Sequence, residues 1–168
     1  LFTLRQALTN IHPGAADSDV WDLLRSFATG EKAGPVAALQ PQIDKWFAFD
    51  RIDEIMDALT QDGSELALAT LKTLNEKSPR GLVVTLKLLR LARESATLEE
   101  CLVREYRAAL AVFASDDFRE GVRAAVIDKD RKPVWSPPTV EGVTHAMIAP
   151  YFTSLGDEEL EFEGRGGV

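Results

Sequence analysis

Apolar residues recur every three or four positions along nearly the whole chain, and they rarely alternate with polar ones. This period is that of an amphipathic helix, whereas a half-buried strand has a period of two. One such stripe, from Val20 to Phe27, follows Ser18 as an N-cap and stops at Gly30. The pattern predicts a mainly α chain without a convincing strand.

Short polar residues mark where further helices begin. Four N-caps are predicted, at Asp50, Ser64, Ser78 and Thr97. Pro79 suits the first helical position after Ser78, because no amide hydrogen is needed there. Glu100 lies three residues after Thr97, the spacing of a capping box in which its carboxylate returns to the Thr97 amide.

Two other parts of the chain differ from this regular pattern. Gly34, Pro35 and Pro41 predict a short connector, since glycine and proline interrupt helices. The helix predicted over 80–95 is apolar on most of its circumference, and a helix of that kind needs neighbours on several sides. A further apolar stripe runs from Leu98 to Phe113.

The composition is typical of one folded domain with a core: 168 residues, 45% hydrophobic and 27% charged. Lysine and arginine number 19 and the acids 27, a formal net charge of −8 that argues against nucleic acid or an anionic membrane as the main partner. No apolar run approaches the roughly 20 residues of a membrane helix. Cys101, the single cysteine, rules out an internal disulfide and fits a reducing compartment.

Charge is distributed unevenly. From Lys72 to Arg93 six basic residues accompany one acid, Glu76. Two interpretations are open for this stretch: a surface for a polyanionic ligand, or a solvated helix face. The acidic stretch from Asp44 to Asp62 leaves another alternative open, a non-catalytic helical module that docks on a protein partner.

Residue types that carry catalysis are few and scattered. His12 and His145 have no second histidine at helical spacing, so they form no metal-binding motif. Cys101 lies near an apolar stripe, which favours an inert thiol. Paired carboxylates such as Asp116-Asp117 already have helix-start or solvent roles. We therefore predict no catalytic residue and no metal ligand in this chain.

The stretch from Leu66 to Trp135 resembles the C-terminal helical region of the crotonase (enoyl-CoA hydratase/isomerase) superfamily. The marks of the superfamily are Lys77-Ser78-Pro79, the long helix over 81–92, Glu105-Tyr106-Arg107 and the segment 115–121. Marks similar to its 3-hydroxyisobutyryl-CoA hydrolase branch are the segments 61–64, 120–124 and 127–130, Pro133-x-Trp135, the segment 152–156 and Trp46-Phe47. The resemblance covers most of the chain.

The resemblance implies a fold and a reaction. The fold is the α/β crotonase type, of which this mainly α chain is expected to be the C-terminal helical part. The N-terminal half, with the catalytic acids and the amides that hold the thioester oxyanion, is expected to be absent.

The reaction that the resemblance implies is hydrolysis of a CoA thioester, in the family's case 3-hydroxyisobutyryl-CoA from valine breakdown. Because the chain begins at Leu1, we expect a truncated piece that is inactive alone. The runner-up is a hydratase or isomerase of the same superfamily.

One binding residue is carried over from the resemblance. In related hydratases a C-terminal lysine and a phenylalanine contact the nucleotide end of CoA. Lys129 matches the lysine, whereas Ala109 or Leu110 stands at the phenylalanine position. The alternative for Lys129 is an ordinary surface lysine paired with Asp128 or Asp130. No cofactor is expected apart from the coenzyme A that is part of the substrate.

The resemblance also divides the chain and suggests its partners. Residues 1–60 are a helical segment typical of the hydrolase branch, residues 61–135 are the crotonase-like helices, and residues 136–168 are a C-terminal extension with an acidic tail. The expected partners are an acyl-CoA substrate, the N-terminal half of the same protein and further copies in a homo-oligomer. Nucleic acid and membranes are not expected. The expected location is the cytoplasm, or the mitochondrion in a eukaryote.

Overall fold

A computed structural model of the chain describes residues 2–12, 14–28 and 34–162. Within these ranges the regular structure is entirely helical, as the spacing of apolar residues predicts. The chain divides into two compact units, residues 1–42 and 43–168. The division into segments 1–60, 61–135 and 136–168 stays a prediction.

The first unit contains two short helices that contact each other, α1 (Phe2–Thr9) and α2 (Asp17–Phe27). Helix α2 begins one residue before the predicted cap Ser18. Its N-cap is Ala16, whose amide donates to the Asp19 carboxylate at 3.1 Å. An acid in the first turn thus fills the role that we assigned to the serine hydroxyl. The predicted stop at Gly30 lies outside the described residues.

The connector predicted at Gly34, Pro35 and Pro41 is wrong, because helix α3 spans Pro35–Trp46. Proline is compatible with the first position of a helix, where Pro35 lies. Pro41 lies inside the helix and cannot donate to the carbonyl of Ala37. Both Ala37 and Pro41 are exposed, so water can satisfy that carbonyl.

The second unit is built mainly from five helices. They are α4 (Ile52–Asp62), α5 (Glu65–Asn75), α6 (Pro79–Glu94), α7 (Leu98–Ala114) and α8 (Asp116–Val122). A π-helical turn over Arg123–Ile127 continues α8. The segment after it contains helix α9 (His145–Ile148) and three 3₁₀ turns, at Val140–Gly142, Ala149–Tyr151 and Gly156–Glu158.

Side-chain hydroxyls cap the N-termini of three of the predicted helices. The oxygens of Ser64, Ser78 and Thr97 accept hydrogen bonds from the amides of Ala67 at 3.3 Å, Gly81 at 3.0 Å and Glu100 at 3.3 Å. Each bond satisfies an amide that has no partner within its helix. These three caps are confirmed.

The two remaining cap predictions are wrong in detail. Helix α4 is preceded by Arg51 and has no side-chain cap. The Asp50 carboxylate instead accepts a hydrogen bond from Arg90 at 2.7 Å. The Glu100 carboxylate accepts from the amide of Ala96 at 2.9 Å rather than from that of Thr97. In both cases another donor lies closer to the carboxylate than the one that the spacing suggests.

Helix α6 lies between two hydrophobic clusters. Leu86 belongs to the first cluster, formed by Trp46, Ile52, Ile55, Leu59, Ala67 and Leu86. Val84 belongs to the second, formed by Val84, Ala108, Ile148 and Tyr151. Helix α6 contacts α4, α7, α9 and the turn Val140–Gly142. The expectation that this apolar helix has neighbours on several sides is confirmed.

Candidate functional site

An apolar cavity of about 550 Å³ opens between α6, α7 and α8. Its walls are mostly aliphatic or aromatic side chains, among them Val84, Leu88, Ala108, Val112, Phe118, Val122, Val126, Trp135 and Tyr151. A cavity of this size and character suits a small organic ligand.

Ser78 and Asp117 are two of the polar residues that line this cavity, and the others are Thr85, Glu105 and Ser115. The Ser78 hydroxyl donates to Asp117 Oδ2, and the Ser136 amide donates to Asp117 Oδ1 at 3.4 Å. Asp117 is only 8% exposed and lies in the first turn of α8, where the helix dipole favours a negative charge. The Ser78 hydroxyl also caps α6, so this carboxylate joins the N-terminal ends of α6 and α8. No histidine lines the cavity, so the described residues offer Ser78 no imidazole base there.

The cavity is closed on one side by the indole of Trp135. A Cβ atom at Gly121 would lie 3.4 Å from Cη2 of this ring, which is ordinary van der Waals contact, so the indole packs directly against this position of α8. The indole Nε1 donates to the carbonyl of Glu76 at 3.3 Å, which fixes the ring. Gly121 and Trp135, which are among the residues that carry the family resemblance, therefore lie together at the cavity wall.

Lys129 lies on a loop that follows the π-helical turn. The turn is closed by hydrogen bonds from the Asp128 amide to the Arg123 carbonyl at 2.8 Å and from the Arg131 amide to the Ala124 carbonyl at 3.0 Å. Lys129 has a φ of +58° and Arg131 a φ of +56°. Both are left-handed conformations that non-glycine residues rarely adopt.

Arg123 is the centre of the interactions that hold this loop. Its guanidinium donates to both carboxylate oxygens of Glu120 at 2.8 Å, to Asp128 at 2.6 Å, to Asp130 at 2.8 Å and to the carbonyl of Lys132 at 3.1 Å. Hydrogen bonds from Arg123, with a further one from the Val134 amide at 2.7 Å, lower the pKa of Glu120 to about 2. The same acids raise the pKa of Arg123.

Lys129 is exposed, and no carboxylate of the described residues lies within 4.0 Å of its ammonium group. The ordinary alternative, a pair with Asp128 or Asp130, is not what the structure shows, because both acids bind Arg123 instead. The contact between Lys129 and CoA stays a prediction. Sequence reasoning missed Arg123 and the buried Asp117, although the spacing of Glu120 and Arg123 was a signal for an ion pair on one helix face.

A second cavity, of about 660 Å³, lies beside the basic stretch of α6. Three of that stretch's cations are engaged within the protein. Arg90 binds Asp50 and two main-chain carbonyls, Lys87 places its ammonium 4.3 Å from the ring centre of Phe152, and Arg80 donates to the carbonyl of Ser136 at 2.7 Å. These three cations therefore make contacts within the protein, and a polyanion-binding surface on this stretch stays a prediction.

The remaining residues with chemical potential lie apart from one another. His12 is exposed after α1, and His145 begins α9 beside the second cavity. Cys101 is a free, half-buried thiol on α7. Within the described ranges no group of histidine, cysteine and acidic residues has metal-binding geometry, and no helix there is long and apolar enough to cross a membrane.

A family model described as Enoyl-CoA hydratase/isomerase matches residues 1–152. The chain belongs to this family. Among curated proteins, the mitochondrial 3-hydroxyisobutyryl-CoA hydrolase of Rattus norvegicus is 35% identical over 167 residues, which are 96% of this chain and 43% of that protein. The enzyme of the same name from Bos taurus is 43% identical over 121 residues, 72% of this chain and 31% of that one. The small ribosomal subunit protein mS47 of Arabidopsis thaliana is 38% identical over 131 residues, with coverages of 72% and 32%.

Solved structures of family members share the fold of the helices. A carnitinyl-CoA dehydratase from Mycobacterium thermoresistibile superposes with a TM-score of 0.75 at 34% identity, over 86% of this chain and 41% of that one. An enoyl-CoA hydratase from Rhodobacter sphaeroides gives 0.71 and 35%, over 88% and 46%. The chain therefore spans less than half the length of the family members it matches here. The resemblance to the crotonase superfamily and to its hydrolase branch is confirmed.

Proposed function

We propose that this chain forms the C-terminal helical part of a CoA-thioester hydrolase that acts on 3-hydroxyisobutyryl-CoA in valine breakdown. The observation that carries the proposal is the 35% identity to a hydrolase of that name over 96% of the chain. In this reaction water adds to the thioester carbonyl, and the CoA thiol leaves. The apolar cavity between α6, α7 and α8 suits the acyl-pantetheine chain of such a substrate. The loop that contains Lys129 suits its phosphorylated nucleotide.

The chemical step is assigned to groups outside the described residues. Within 2–12, 14–28 and 34–162, the cavity-edge residue Ser78 hydrogen-bonds Asp117 and has no imidazole base among the cavity's lining residues. We propose that an N-terminal half of the same protein supplies the catalytic acids and the oxyanion donors, which provide most of the barrier lowering in acyl transfer. The role of the present chain is then to form a wall of the acyl-CoA pocket.

The test is release of free thiol from 3-hydroxyisobutyryl-CoA by the full-length protein that contains this chain, measured with a thiol-reactive dye. Hydration of crotonyl-CoA, followed by loss of the enoyl absorbance, is measured with the same preparation. Thiol release without hydration supports the hydrolase. Hydration without thiol release rejects it and favours the alternative hydratase, the name that the structure from Rhodobacter sphaeroides bears.

A non-catalytic role is a second candidate, because one relative is a ribosomal subunit protein. Inactivity toward both substrates, together with a stable complex with another protein, would favour it. The exposed apolar side chains on α7, which include Leu98 at 69% and Phe113 at 63%, are the surface we propose for assembly with further copies. We propose that the protein is located in the mitochondrion if its source is a eukaryote, as the names of the hydrolase relatives suggest. Otherwise we propose the cytoplasm.

A further inference from the structure

In the loop over residues 128–132, the acidic side chains bind Arg123, whereas the basic side chains do not take part in an ion pair with the described residues. Asp128 and Asp130 turn toward Arg123 and bind its guanidinium at 2.6 and 2.8 Å. Lys129 and Arg131, which alternate with them, are exposed and have no carboxylate within 4.0 Å among the described residues. The loop therefore presents Lys129 and Arg131 to solvent without an ion pair to any described residue, and Lys132 is a third exposed cation beside them.

The backbone of the loop shows why this arrangement is unusual. Lys129 and Arg131 have φ values of +58° and +56°, and glycine would adopt these conformations with the least strain. Residues held in such conformations persist only when their surroundings enforce them, and they cluster at ligand-binding sites. Here the two strained positions carry two of the three exposed cations of the loop.

Arg123 and the residues it binds hold the loop in this conformation. Its guanidinium reaches Glu120 on α8, both loop acids and the carbonyl of Lys132. The Asp130 carboxylate accepts from the Lys132 amide at 2.8 Å. One planar side chain with five donors thus fixes the loop at three points and connects it to α8 at a fourth, which lysine cannot do with its compact ammonium group.

We propose that Arg123 is a positioning residue, whose hydrogen bonds hold Lys129 and Arg131 in left-handed conformations so that their side chains together bind the phosphates of a CoA nucleotide. The proposal rests on the proposed acyl-CoA substrate. It adds Arg131 as a second phosphate contact and gives Arg123 a role without ligand contact. A pair of guanidinium and ammonium groups suits phosphate oxygens, since charge-assisted hydrogen bonds are the stronger kind.

The test uses binding of coenzyme A itself to the full-length protein, measured by calorimetry, so that no turnover is required. Lys129→Gly and Arg131→Gly each remove a cation and relieve strain. Each is expected to raise the dissociation constant for CoA about tenfold while raising the Tm. A loop that is merely structural would show the rise in Tm without the loss of affinity, and that result overturns the proposal. Lys129→Arg keeps the charge and is expected to bind CoA as the unaltered protein does.

Arg123 is tested by comparing two substitutions. Arg123→Gln and Arg123→Lys are both expected to weaken CoA binding at least tenfold, because neither side chain can bind three points of the loop and Glu120 at the same time. In the active enzyme they raise KM and leave kcat unchanged. If Arg123→Lys retains full affinity, charge alone suffices and the positioning role is wrong. Lys72→Gln, at an exposed cation on α5, is the matched control for loss of one positive charge and should bind CoA normally.

Pantetheine, which lacks the nucleotide, separates the phosphate contact from the rest of the site. Its affinity is expected to be the same for all five proteins with changes in the loop or at Arg123. An equal loss for pantetheine and CoA would overturn the proposal by showing general damage. Failure of the hydrolase assignment can be distinguished from failure of this inference, since a protein that releases no thiol can still bind CoA and lose affinity in the loop variants. Absence of CoA binding by the unaltered protein rejects the present inference.

Discussion

Arg90 fastens helix α6 to the connection between α3 and α4, and its replacement is expected to cost more than the loss of an ion pair. Its Nε donates to Asp50 Oδ1 at 2.7 Å, and its Nη2 donates to the carbonyls of Phe47 at 2.8 Å and Phe49 at 2.6 Å. The Arg90 side chain is 22% exposed, whereas that of Asp50 is 83% exposed. The contact with the Phe47 carbonyl is part-buried, whereas those with the Phe49 carbonyl and with Asp50 are exposed.

The magnitudes follow from this difference in exposure. A hydrogen bond from a charged donor contributes about 1.5–3 kcal/mol, and we take the lower end for each carbonyl because the guanidinium is partly solvated. An exposed ion pair contributes about 0–1 kcal/mol. Arg90→Met, which keeps most of the aliphatic stem, is then expected to lower the free energy of unfolding by about 3–4 kcal/mol. Asp50→Asn is expected to lower it by less than about 1 kcal/mol.

Urea unfolding followed by tryptophan fluorescence is the assay, because Trp46 is 2% exposed and packs beside Phe47 in the first hydrophobic cluster. The measurement is repeated in 1 M salt, which screens the exposed Asp50 contact and affects the carbonyl contacts much less. Equal losses for Asp50→Asn and Arg90→Met would refute the reasoning, because they would show that the ion pair accounts for the stabilisation.

Three further outcomes are expected. Leu59→Ala should cost about 2–5 kcal/mol of unfolding free energy in urea titrations, since Leu59 is fully buried, whereas Leu89→Ala, at a side chain 58% exposed, should cost under about 0.5 kcal/mol. Glu120 has its pKa lowered to about 2, so its contribution to stability is present above pH 4.5 and lost as the pH falls toward 2; Glu120→Gln should flatten the decline of Tm in that window. Gly121→Val should cost about 1–3 kcal/mol and shift the fluorescence of Trp135, whereas Gly121→Ala, whose Cβ lies 3.4 Å from the ring, should be near neutral in the same measurements.

Local signals predicted the helices of the second unit well. Ser64, Ser78 and Thr97 cap helices where the sequence places them, because a cap depends on a hydroxyl and an amide three residues apart. The apolar circumference of the helix over 80–95 predicted its position between two clusters. Interactions of this range can be derived from a single sequence.

Predictions failed where a distant or solvent partner decides the outcome. Asp50 was expected to cap α4, but Arg90, forty residues away in sequence, binds its carboxylate. Pro41 was expected to belong to a connector, yet it lies within α3 at an exposed position where water can satisfy the carbonyl that it leaves without a donor. Spacing rules do not contain these long-range contacts.

The candidate site was only partly predictable for the same reason. Lys129 was identified by resemblance, but its left-handed backbone and the inward turn of its two neighbouring acids depend on Arg123. Asp117 was expected to serve as a surface or cap acid. It is instead buried, because Ser78 donates to it across thirty-nine residues of sequence. Such convergence depends on the tertiary packing.

The direction in which charges point explains how an acidic chain can present a cationic surface. The net charge of −8 describes the whole molecule, whereas the field of an exposed charge decays within about 8 Å at physiological ionic strength. Around Lys129 the side chains of Arg123, Lys129, Arg131 and Lys132 carry four positive charges against the three carboxylates of Glu120, Asp128 and Asp130, so this loop has a small positive surplus. The composition argues against a polyanion that would cover a large surface. It does not argue against a small phosphorylated ligand, which contacts one loop only.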